Sequence, residues 1–74
     1  MSSITKTVRL SGQATGSIED AVTTVLARAA ATISDITSFE IVKVGGSVDP
    51  SGAPTFYTVT VDVTFGIKDP VEHG

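Results

Sequence analysis

The sequence contains no cysteine. Disulfides and thiolate metal sites are therefore excluded, and so is a cysteine–histidine nucleophile pair. Its one histidine is His73, next to the last residue. A zinc site built on histidines cannot form within one chain. A serine triad would have to take its base from a polar tail, so catalysis of that kind is not expected. Cationic side chains are few, five against eight acids, giving a net charge of −3. Phosphate backbones and anionic membranes are held by basic patches, so neither nucleic acid nor membrane is expected as a partner. Apolar runs stop far short of the roughly 20 residues that cross a bilayer. The opening residues, Met1-Ser2-Ser3-Ile4-Thr5-Lys6, lack the apolar stretch of a signal peptide. With cysteine absent as well, the cytoplasm is the expected location.

What is present is 74 residues of one domain, with residues 69–74 as a polar tail carrying Pro70 and charges. A chain this short buries only about 60% of its unfolded surface, and disulfides, metals or oligomerisation usually supply the rest. Oligomerisation is the route left open. Ile4, Lys6, Val8 and Leu10 alternate with Thr5, Thr7 and Arg9, which predicts a strand over 4–10. Small and polar residues from Gly12 to Gly16 predict a loop. Ser17 to Ser34 reads as a helix: Ser17 suits the N-cap, Glu19 and Asp20 favour the first turn, and Ile18, Ala21, Val22, Val25, Ala29, Ile33 and Ile36 form an apolar stripe. Two further strands are expected over 37–48 and 54–68. Between them Asp49-Pro50-Ser51-Gly52 has the residues of a type I turn in their preferred places.

The last strand is the clearest, with Tyr57, Val59, Val61, Val63, Phe65 and Ile67 on one face and Thr58, Thr60, Asp62 and Thr64 on the other. The second strand breaks parity: Phe39 and Ile41 look inward on odd positions, Val48 on an even one. A bulge at Gly45-Gly46 would switch the facing. The expected class is α+β, ordered β-α-β-β, with a three-stranded antiparallel sheet packed around one helix. A helix of 18 residues spans about 27 Å, whereas 15 residues of strand span roughly 50 Å. The third strand should therefore outrun the helix and leave apolar surface for other copies of the chain to cover, as should the two open sheet edges.

Catalytic constellations are not apparent. Glu19-Asp20 is explained by helix capping. The glycines before the helix lack the lysine and spacing of a phosphate-binding loop. Asp49-Pro50-Ser51-Gly52 lacks the alternating acids of a calcium loop. Arg28 and Lys43 can bind anions, but solvated charges or ion pairs between subunits are the ordinary reading. With the bulge in place, Ser38, Glu40, Val42, Thr58, Thr60 and Asp62 share the polar face of the sheet. Ser38, Glu40, Val42, Thr58 and Thr60 are the candidate ligand-binding residues, lining a cavity between subunits. The alternative is a face that meets only water or a wet interface.

Three segments resemble the dodecin family: Gly12…Ser17-Ile18-Glu19-Asp20-Ala21-Val22 with Ala27-Arg28-Ala29, then Phe39-Glu40-Ile41-Val42, and then Tyr57-Thr58-Val59-Thr60-Val61-Asp62-Val63-Thr64-Phe65. The resemblance runs from about residue 4 to 68. It implies a subunit of a hollow homododecamer of cubic 23 symmetry that binds flavins (FMN, riboflavin or FAD) in stacked pairs between subunits. Such a shell acts in storage and protection, without being an enzyme. The family's flavin site relies on a tryptophan that stacks on the ring and a glutamine that hydrogen-bonds to it. Here Ser38 stands at the tryptophan position and Thr58 at the glutamine position, and the chain has no tryptophan. Loss of the stacking ring and its buried area predicts that flavin affinity is weak or lost. The alternative is a structural or ion-binding shell with no organic ligand, an ion lying on a symmetry axis.

Overall fold

A computed structural model describes residues 4–67. It consists of β1 (Ile4–Ala14), α1 (Ile18–Thr32), β2 (Ile36–Val48) and β3 (Pro54–Ile67). The strands form one antiparallel sheet in the order β1-β3-β2, so the last strand is the central one. The order and class agree with the sequence reading. The expected polar tail, 69–74, and the last residue of the third strand, Lys68, lie outside the described residues.

The centre of the sheet goes to the strand with the most regular alternation. On β3, Val59, Val61 and Val63 are at most 1% exposed, and they pack beneath Ala21, Val22 and Val25 of α1. Val8, Leu10 and Ala14 of β1, Leu26 of α1 and Ile36 of β2 close the margins of this core. Valines stiff at χ1 on a pleated surface, facing alanines and valines on a helix, allow close approach of the two layers. Gly12 reflects that closeness, because a Cβ there would overlap Val25 Cγ2.

Local chemistry sets the element ends. Ser17 caps the helix through its hydroxyl, which accepts the Asp20 N–H at 3.0 Å. The helix stops at Thr32, two residues before the expected end, because Ile33 takes an extended conformation while its N–H still donates to the Ala29 carbonyl at 2.8 Å. Asp35 then adopts a left-handed conformation, φ 64°, and its carbonyl accepts the Gly66 N–H at 2.9 Å. The β2–β3 hairpin closes as expected. The Gly52 N–H donates to the Asp49 carbonyl at 2.9 Å, and Gly52 has φ 89°, which glycine adopts without strain. The Asp49 carboxylate accepts from the Ser51 N–H at 2.9 Å, the Ser51 hydroxyl at 2.6 Å and the Ala53 N–H at 3.1 Å. These bonds, the Ser51 hydroxyl foremost, hold its pKa below the ordinary carboxylate value.

Three expectations are corrected. First, β1 continues through Gly12, Gln13 and Ala14, which pair with Val59, Thr58 and Tyr57, where a loop was expected. The long central strand supplies partners for small residues that have little strand preference of their own. Second, Gly45 and Gly46 are not the bulge: both pair in register with Thr58 and Tyr57. The shift that reverses facing lies between Ile41 and Lys43, so Val42 is the extra residue, and two further shifts occur at Thr37 and after Ser47. Gly46 is needed for another reason, since a Cβ there would run into the Phe56 carbonyl. Third, the uncovered apolar surface lies mainly on β2, not β3. The helix packs on β1 and β3, and most of β2 lies beyond it. Phe39, Ile41 and Val44 pair with Val63, Val61 and Val59 and so share the helix-side face, yet they are 48%, 41% and 46% exposed. The radius of gyration, 16.1 Å, far exceeds the roughly 11 Å of a compact domain of this length.

Candidate functional site

The face of the sheet turned away from the helix carries the candidate site. Antiparallel pairing places directly opposed residues on the same face, so the register sorts this face into cross-strand rows. Thr7, Thr64 and Ser38 form the first row, and Arg9, Asp62 and Glu40 the second. Ser11, Thr60 and Lys43 form the third, and Gln13, Thr58 and Gly45 the fourth.

Within the rows, β1 and β3 are linked by side chains. Thr7 and Thr64 hydroxyls lie 2.9 Å apart and those of Ser11 and Thr60 3.2 Å apart. Between them Arg9 grips Asp62 with two donors, Nε to Oδ1 at 2.7 Å and Nη2 to Oδ2 at 3.0 Å. The hydrogen bond and the charge together raise the Arg9 pKa, while the same hydrogen bond holds the Asp62 carboxyl below its usual range. Toward β2 no such links form among the described residues, apart from the Thr37 hydroxyl donating to the Thr64 carbonyl at 3.3 Å.

Of the residues singled out from sequence, Ser38, Glu40, Thr58 and Thr60 do share this face. Val42 has no partner in the ladder, being the bulged residue, and it is 45% exposed. Lys43, not Val42, is the residue of β2 that stands on this face opposite Thr60. Ser38 and Thr58 are not neighbours: their rows are six residues apart along β3, about 20 Å. A solvent-open depression of about 400 Å³ lies at the third and fourth rows, lined by Ser11, Gln13, Lys43, Thr58 and Thr60. Gly45, having no side chain, leaves the fourth row low on the β2 side.

A family model for dodecin matches residues 4–68, almost the whole chain. The chain belongs to the dodecin family. No curated protein sequence matches it. Among solved structures, it resembles an arginine-to-alanine mutant of the Thermus thermophilus dodecin, with 28% identity and a TM-score of 0.85 over 92% of this chain and 100% of that one. The dodecin of Streptomyces davaonensis aligns with a TM-score of 0.84 at 22% identity, over 93% of this chain and all of that one. A calcium dodecin of Mycobacterium tuberculosis, described with a calcium-binding site, aligns at 0.75 and 22% identity over 96% and 99% of the two chains. The β-α-β-β order and antiparallel sheet are thus those of a dodecin subunit.

For this dodecin, sequence reasoning missed Ser11 and Gln13, which lay in or beside the expected loop. It also weighed Lys43 as an anion binder and set it aside as a solvated charge or an ion pair between subunits. Their place on the face follows from pairing partners, which no local pattern records. Among the described residues, no three of His, Asp and Glu cluster in a way that could hold a metal ion. No described helix is long and apolar enough to cross a membrane.

Proposed function

We propose that the chain forms a homododecameric shell in the cytoplasm that binds and sequesters small molecules at contacts between subunits, without catalysing a reaction. The observation that carries the reading is the bare apolar face of β2. Phe39, Ile41 and Val44 stand about half exposed beside a fully formed core, and among the described residues no element covers them. A contiguous apolar face of this kind marks an interaction surface, and family membership supplies the partner as further copies of itself.

The ligand class inherited from the family is a flavin, FMN, riboflavin or FAD, held weakly or not at all. The residues do not fit a stacked ring. Ser38 presents a hydroxymethyl group where the family has its tryptophan, and the rows from Ser38 to Thr58 contain no aromatic side chain. Phe39 is exposed, but it pairs with Val63 on the opposite face. By alternation Phe56 reaches the polar side only beyond Thr58, far from Ser38. With about 20 Å between Ser38 and Thr58, a ring touching both positions would take them from two subunits, in keeping with a site at a contact. The second reading, a shell with no organic ligand, gains support from the same two substitutions.

Native mass spectrometry with each flavin present tests the proposal. The expected spectrum shows a dodecamer with little or no retained flavin at low micromolar concentration. A folded monomer would overturn the assembly, and full flavin occupancy would overturn the weak-affinity reading.

A further inference from the structure

Lys43 plays no part in the core. It stands on the polar face opposite Thr60, exposed, and Arg9–Asp62 is the ion pair found among the described residues, so its ammonium meets no carboxylate among them. Beside it lies the depression of about 400 Å³, whose other polar side chains are the hydroxyls of Ser11, Thr58 and Thr60 and the amide of Gln13, with Gly12 and Val59 completing the lining. This lining is rich in donors. The ammonium has three N–H groups, the amide two, and each hydroxyl one. The Ser11–Thr60 hydrogen bond uses one hydroxyl proton and leaves the other available. No carboxylate lines the depression. The nearest acids are one row away, where Asp62 is occupied by Arg9 and Glu40 stands opposite it.

One cation surrounded by neutral donors, with no acidic or aromatic group, complements a compact oxyanion better than a planar ring. We propose that this depression binds phosphate, either free or as the ester group of a small molecule. The inference deepens the small-molecule reading and rests on it, while replacing stacking by charge-assisted hydrogen bonding as the source of affinity. Hydrogen bonds from a charged donor to phosphate are stronger than neutral ones, so Lys43 should dominate and the hydroxyls should orient.

The test uses the assembled wild-type protein, titrated by calorimetry with inorganic phosphate and separately with glycerol 3-phosphate, against glycerol as the uncharged control. Phosphate and its ester should bind, glycerol should not, and a preference between the two identifies the source of the group. Lys43→Gln should weaken binding at least about tenfold, Lys43→Arg should largely preserve it, and Arg28→Gln on the helix should leave it unchanged. Should Lys43→Gln fail to fold, amide chemical-shift mapping on the wild type decides instead. Shifts grouped at Ser11–Gln13, Lys43 and Thr58–Thr60 support the site, and shifts elsewhere refute it. Undetectable phosphate binding at millimolar concentration, or equal binding by Lys43→Gln, overturns the inference. Native mass, recorded on the same samples, reports separately on the shell. A dodecamer that ignores phosphate defeats only this inference, and a monomer defeats the reading beneath it.

Discussion

Arg9 and Asp62 join the first strand to the central one by two parallel hydrogen bonds on a wet surface. Their side chains are 62% and 22% exposed, so salt and water screen the pair and its contribution is modest. The guanidinium hydrogen bond depresses the Asp62 pKa. The stabilisation is therefore complete above the unfolded carboxylate's pKa, about 3.9, and is lost as pH falls through the lower folded-state value. Asp62→Asn should lower the thermal midpoint slightly at pH 7, and the gap from wild type should close as the folded carboxyl is protonated in acid. A gap that persists in acid would contradict this account. The same face shows what single residues disclose. Thr58, Thr60, Ser38 and Glu40 were legible because alternation fixes their side of the sheet. Lys43 was misjudged because its facing depends on a bulge at Val42, a β-branched residue that carries no turn signal.

Elements were legible wherever a local rule decides. Ser17 capping, the Asp49–Gly52 turn and the alternating third strand all follow from chemistry within a few residues. Ser17→Ala should cost about 1 kcal/mol through the lost cap, read from the unfolding midpoint at fixed protein concentration. The glycine pair of β2 misled for a physical reason. Glycine marks bulges, but it also marks close backbone approach, and the second applies at Gly46, packed against the Phe56 carbonyl. A methyl group there must move backbone rather than a flexible side chain. Gly46→Ala should therefore destabilise by roughly 1–3 kcal/mol, more than loss of the cap. Equal stability of Gly46→Ala and wild type would show that the strand ladder yields more easily than its geometry implies. The extension of β1 to Ala14 was beyond local reading, because its cause is the length of a partner strand 43 positions away.

The whole molecule is a thin, elongated protomer, 61 × 19 × 12 Å, whose core occupies only part of its apolar surface. Composition foresaw the shortfall, since a chain of this length without cysteine has few other means of stabilisation. Strand lengths misplaced it onto β3, because the central position of β3 depends on topology. Ile41 sits in the middle of the bare face, 41% exposed, opposite the fully buried Val61. Ile41→Asp should disperse the assembly, because a carboxylate buried at an interface without a partner is costly. Helix content should fall only as far as the isolated protomer depends on its neighbours. Sedimentation velocity of the wild type at low micromolar concentration bears most directly on the assembly. A single boundary of dodecamer size is expected, and a folded species sedimenting as one chain would contradict it.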